Sequence, residues 1–169
     1  MRGFILGVVV AVLTFVLGGY LFIRGGGVSM ATNAPPLPLE KTVAKMALRA
    51  SIRNAGDQKD PLTFGDGNML AGAKAYQEQH CAICHGTPGQ PPSAISKGMF
   101  PAPPQLFETE DMVTDDPEGV TYWKLTHGIR LSGMPAFAGT LLDTQRWQVT
   151  MLVAHADKLT PAVLAALGH

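Results

Sequence analysis

Polar and apolar residues are distributed unevenly along this chain, and the first twenty-odd positions set the pattern. From Phe4 to Ile23 no charged side chain occurs, and only Thr14 and Tyr20 carry hydroxyls. A helix rises 1.5 Å per residue, so a run of this length spans roughly 30 Å, the thickness of a bilayer's hydrocarbon core. The pattern predicts a transmembrane anchor over residues 4–23. A buried core helix is a poor reading, because no other segment could cover it on all sides. A cleaved signal peptide competes, since Ser29-Met30-Ala31 offers small residues at both key cleavage positions. Signal peptides usually have an apolar region of about 7–15 residues, so the longer run here favours a retained anchor. On either reading the remainder is exported. Arg2 and Arg24 flank the segment symmetrically, with Lys41, Lys45 and Arg49 beyond, so the positive-inside rule does not orient it.

Residues 24–67 read as a linker. The stretch after Arg24 is rich in Gly and then Pro, a flexible and then stiffer tether without periodicity. Within the linker, Val43, Met46, Ala47 and Ala50 recur at helical spacing and predict an amphipathic helix over 40–53. Lys41, Lys45, Arg49 and Arg53 recur every fourth residue on it. Each such like-charge pair disfavours an isolated helix by about 0.2–0.5 kcal/mol. An anionic neighbour would relieve this: lipid headgroups, an acidic part of the same chain, or a partner subunit. An ordinary solvated face is the plain alternative.

Residues 68–169 read as one domain. Asn68 is placed to cap a helix running to about His80, with Leu70, Ala73, Ala75 and Tyr76 as its apolar surface. Thr87–Gln105, rich in Pro and Gly, predicts an irregular loop. A short helix over about 119–127 ends at Gly128. Asp143 is placed to cap a last long helix to about Leu159, with Trp147, Met151 and Ala154 on one face, and Thr160-Pro161 opens a final turn or two. No alternating strand pattern exceeds four residues, so the fold class is all-α with long loops.

Formal net charge is zero, which gives no support to nucleic-acid binding. The ends differ: residues 1–67 carry seven Lys/Arg against four Asp/Glu, and residues 68–169 six against nine. Loops this long bury little surface, and a large apolar cofactor at the centre would account for them. The chemistry concentrates in His80-Cys81-Ala82-Ile83-Cys84-His85-Gly86, which holds both cysteines of the chain. A thioredoxin-like dithiol wants a βαβ context, which is missing. A closed zinc site wants four ligands, but His80, His127, His155 and His169 are scattered and no second cysteine pair exists. A disulfide across two intervening residues would constrain little chain. In Cys-x-x-Cys-His, by contrast, two thiols add covalently to a porphyrin's vinyl groups while the adjacent histidine reaches the iron. This predicts one covalent haem c on Cys81, Cys84 and His85. Met99, Met112, Met134 and Met151 are the candidates for the iron's other face. Met134 fits best, in an extended loop where Gly133 gives backbone freedom and Pro135 fixes the exit.

Over about residues 68–159 the chain resembles the class I c-type cytochromes, particularly membrane-anchored bacterial monohaem forms. The likeness rests on Cys81–Gly86, on Tyr122-Trp123 to Gly128-Ile129-Arg130, on Gly133-Met134-Pro135-Ala136-Phe137, and on Trp147. The resemblance implies that Gly72 and Tyr76 let the first helix of the domain cross the last one closely. It implies that a proline carbonyl, Pro104 or alternatively Pro101, holds the proximal histidine's other nitrogen. Two positions depart from the family pattern: Tyr76 stands five rather than four residues before Cys81, and His127 stands where an asparagine is expected. The resemblance further implies an electron carrier rather than an enzyme, with His85/Met134 axial ligation, in a respiratory or photosynthetic-type chain. It would exchange electrons with redox protein partners, as a tethered carrier or as a haem subunit of a larger complex. Its haem domain would be periplasmic and its N-terminus cytoplasmic, with one span in the bacterial inner membrane. The alternative is an open-site haem protein, peroxidase-like or a gas or redox sensor, with His127 as a distal base.

Overall fold

The computed structural model describes residues 1–168; His169, the last residue of the expected domain, lies outside the described residues. The chain forms two compact units, Met1–Glu40 and a second from Lys41 onward.

The first unit is built on α1 (Arg2–Arg24), which is long and apolar enough to cross a membrane and buries none of its residues within the protein. It is a candidate membrane anchor. Its C-terminus is closed by backbone bonds from Gly25, and Gly26 turns the chain at φ +80°.

The second unit is all-helical among the described residues. Its helices are α2 (Glu40–Ser51, whose first residue belongs to the other unit), α3 (Asp66–Glu78), α4 (Cys81–His85), α5 (Ala94–Lys97), α6 (Glu118–His127), α7 (Asp143–Ala154) and α8 (Pro161–Ala166). Single 3-10 turns stand at Ala55–Asp57 and Ala156–Lys158. Residues 41–67, which read as linker from composition, are part of this compact unit, with Ala55 buried and Leu62 against the core.

The core forms where α3 crosses α7. Met69, Ala73 and Tyr76 from α3 meet Met151, Leu152 and Val153 from α7, while Val163 and Leu167 close the far side from α8. Fully burying one such Leu, Val or Met side chain contributes about 1.5–3 kcal/mol. The crossing is close because Gly72 has no Cβ: one added there would run into the Gln148 backbone carbonyl of α7. The close crossing at Gly72 that the family likeness implies is thus present. Tyr76 is buried, its ring edge-to-face with Phe107.

α6 also lies on α7, with Tyr122 stacked on Trp147 at a centroid distance of 4.0 Å and 11° between ring planes. The N-terminal end of α6 is set by Gly119, whose absent Cβ makes room for the backbone carbonyls of Ala55 and Gln58.

Four local expectations need correction. Asn68 does not cap α3; the helix starts two residues earlier at Asp66, and Asn68 donates from Nδ2 to the Thr63 carbonyl and accepts from Gln148 Nε2. A tertiary partner on α7 has taken the side chain that a local rule assigned to the helix end. Asp143 is likewise the first helical residue of α7, not its cap. Its carboxylate accepts from the Tyr122 hydroxyl and from Arg146, which hold it below the usual carboxylate range, while the N-cap position is Leu142. Finally α7 stops at Ala154 and gives way to the 3-10 turn at 156–158, and the loop 87–105 contains α5, capped by Ser93.

Candidate cofactor site

The Cys-x-x-Cys-His stretch folds as the single helical turn α4. His80 enters it in the left-handed region (φ 58°) and Gly86 leaves it at φ +73°. A left-handed residue other than glycine costs roughly 1–2 kcal/mol, so surrounding contacts must hold the turn in place. They are numerous. The Tyr76 hydroxyl donates to the Gly86 carbonyl at 2.8 Å, fastening the exit of the turn to α3. Leu106 N donates to the His85 carbonyl at 3.1 Å, and Ser93 Oγ donates to the Ile83 carbonyl.

Gln105 is the organising residue, only 8% exposed. Its Nε2 donates to the Cys84 carbonyl (3.0 Å), Ser96 Oγ (3.0 Å) and the Pro103 carbonyl (3.2 Å). Its Oε1 points at Gly86, where a Cβ would come within 2.9 Å. One amide therefore ties the motif to the Pro-rich loop, while the φ of +73° at position 86 favours glycine there. Sequence reasoning passed over Gln105 and Ser96. The available signal was a lone amide side chain next to Pro103-Pro104, where few other groups could satisfy the loop's carbonyls.

His85 Nδ1 lies 2.9 Å from the Pro104 carbonyl oxygen. A carbonyl only accepts, so Nδ1 carries the proton and Nε2 keeps its lone pair. Burial lowers the pKa of His85, and the Pro104 contact only partly opposes this, so the ring favours the neutral form. An imidazole held by one nitrogen with the other free and basic is the arrangement found in metal-ligating histidines. Of the two prolines weighed for this bond, Pro104 makes it.

Cys81 and Cys84 are free and half-buried, and Cys81 packs against the core together with Ala82. Burial pushes the Cys81 thiol up to about 11, so it is held protonated. Cys84 Sγ lies 3.8 Å from Met99 Sδ.

Met134 sits half-buried in the loop after α6 and packs against the same core cluster as Cys81 and Ala82. The loop is pinned back on the end of α6: Ile129 N donates to the Met134 carbonyl (3.1 Å), and Phe137 N donates to the Leu125 carbonyl (3.0 Å). Met134 N donates to Ser132 Oγ at 3.2 Å. Gly128, at φ +67°, lies so close to Met134, Pro135 and Ala136 that a Cβ would come within 2.8 Å of their backbone atoms. Met99 bridges toward this loop, its methyl group occupying the space a Cβ on Gly133 would need. Met112 is half-buried against the core, and Met151 is buried within it. His127 is exposed at the end of α6, its ring 4.8 Å from that of Trp123. Among the described residues no group of three or more His, Cys, Asp or Glu side chains is placed to hold a metal ion.

These residues fit a haem. Two free thiols stand three positions apart on one turn, the histidine after them presents an unprotonated nitrogen, and Gly86 gives the turn its exit. Together with the helical frame, they define a class I c-type cytochrome domain. The family described as cytochrome c oxidase, cbb3-type, subunit III matches residues 67–151, and the chain belongs to it. No curated protein and no solved structure matches the chain.

Proposed function

We propose that this chain carries electrons through one haem c, bound covalently at Cys81 and Cys84, with His85 as proximal and Met134 as distal ligand. The observation that carries this reading is the His85 Nδ1 contact with the Pro104 carbonyl, which leaves Nε2 free to bind iron. When bound, the haem supplies a one-electron couple. The chain's own residues do the rest. Pro104 fixes the imidazole tautomer and orientation. Gln105 holds Pro103 and Cys84, the neighbours of those two groups, in register. The pinned 128–137 loop presents Met134, a soft thioether that favours the reduced iron.

The haem domain faces the periplasm from the bacterial inner membrane, held there by α1, with the N-terminus in the cytoplasm. It works as a tethered carrier or as a haem subunit of a respiratory or photosynthetic-type complex, between a redox protein donor and acceptor. Electron carriage, not catalysis of its own, is the role we assign.

Covalent attachment is tested by mass spectrometry of the denatured chain expressed with haem maturation. One retained haem is expected, and Cys81→Ala with Cys84→Ala should abolish it. Haem that extracts into acidic organic solvent from the unaltered protein would refute the attachment.

A further inference from the structure

Among the described residues, α2 is the one long helix of the second unit that buries none of its residues. At 3.6 residues per turn its surface divides into three faces. Leu48, and Ile52 in the turn just past the helix end, lie half-buried on one, next to Lys41, whose ammonium sits 5.9 Å from the centre of the Phe100 ring. Lys45 and Arg49 follow on the second, with Arg53 in the turn beyond them. Among the described residues none of these three pairs with a carboxylate. On the third face Val43 and Met46 are 61% and 64% exposed, beside exposed Ala47 and Ala50. An exposed apolar stripe flanked by cations is the surface of a helix that lies in a membrane interface.

We propose that α2 rests on the bilayer surface. Lys45, Arg49 and Arg53 would bind anionic lipid headgroups, and the Val43/Met46 stripe would dip below them. This rests on reading α1 as the membrane anchor. Lipid is favoured over a protein partner for two reasons. The three free cations complement the negative surface of anionic lipids. The fifteen residues from Gly25 to Leu39 extend to no more than about 50 Å, so the helix cannot leave the neighbourhood of the membrane that α1 enters. Such tethering raises the effective headgroup concentration and lets a short stripe suffice.

The test uses the full-length haem-loaded protein in nanodiscs of phosphatidylcholine alone or of phosphatidylcholine with phosphatidylglycerol. Amide hydrogen exchange is followed by mass spectrometry in peptides covering residues 43–53. Each Lys or Arg near an anionic leaflet contributes roughly a fivefold factor, so anionic discs should slow exchange here at least about fivefold. Peptides from α7 should not change. Raised salt, or the triple variant Lys45→Glu, Arg49→Glu, Arg53→Glu, should remove the slowing. The variant Val43→Asn with Met46→Gln, which keeps every charge, should reduce it. Equal exchange in the two kinds of disc overturns the proposal, as does slowing that survives the triple variant or appears only when other membrane proteins are added. A chain that fails to enter discs at all refutes the anchor and this proposal with it, which is separable from a chain that enters and shows no lipid dependence.

Discussion

Replacing Gln105 by Ala tests whether one buried amide positions the haem-binding turn. The substitution removes an amide whose two N–H bonds are shared among three acceptors, and leaves the Cys84 and Pro103 carbonyls without that partner. Ser96 Oγ, itself buried, also loses the donor it accepts from. Leaving a buried acceptor unpaired costs about 1–3 kcal/mol, so two carbonyls amount to about 2–4 kcal/mol once partial relaxation is allowed. Urea unfolding followed by circular dichroism measures this. The same variant should also disturb the iron, because Pro103 adjoins the carbonyl that orients His85, and Cys84 adjoins His85 itself. The midpoint potential should shift, and the sulfur-to-iron charge-transfer absorption of the oxidised protein should weaken. Gln77→Ala is the control. Its Nε2 donates to the Leu167 carbonyl at 2.6 Å on the α8 side, so it should cost about 1 kcal/mol and leave potential and spectrum alone. A Gln105→Ala protein that loses less than about 1 kcal/mol refutes the hydrogen-bond argument. One that loses stability with an unchanged potential refutes the positioning role.

Three further outcomes are expected. Met134→Ala should lower the potential, abolish the charge-transfer band and open the iron to carbon monoxide, whereas Met99→Ala, despite its contacts with Cys84 and the Gly133 backbone, should keep the band; absorption spectra of the two variants decide. Gly72→Val should destabilise the domain by about 3 kcal/mol or more, because its side chain would meet the Gln148 backbone rather than a flexible group, and a denaturant melt within about 1 kcal/mol of the unaltered protein would exclude the close crossing. Asp60→Asn should raise stability at neutral pH. Burial and the nearby Glu118 push the Asp60 carboxyl up from its ordinary 3.8 against the Leu62 amide, and Oδ2 has no partner. A raised carboxyl favours the folded state while protonated, and that contribution is lost as pH rises through the folded value. The Asp60 contribution to stability should therefore decline from just below pH 4 until pH passes its folded value, and the difference between the unaltered protein and the Asn variant in urea titrations across pH should show it.

The primary structure alone determined the parts of this protein that depend on local pattern. An uncharged run of apolar residues this long reads as a helix suited to apolar surroundings, so the helical form of α1 was legible without a fold. Gly128 and Thr160-Pro161 mark helix ends by backbone geometry that needs no partner, and both stand where the pattern put them. Cys81, Cys84 and His85 stood out as candidate haem residues because three rare reactive groups at fixed spacing have few other uses. The all-α class followed from helical periodicity. Only the tertiary structure decided which long-range groups complete the site. Gln105 acts across twenty-one residues on Cys84 and the Pro104 carbonyl across nineteen on His85, distances at which no spacing rule operates. The caps failed for the same reason: Asn68 and Asp143 carry good local capping groups, but Gln148 in one case and Tyr122 with Arg146 in the other offer tertiary and side-chain partners that no local rule anticipates. Local chemistry selects the elements and the reactive residues; their mutual packing selects which polar atoms face each other, and that is where the histidine's tautomer is set.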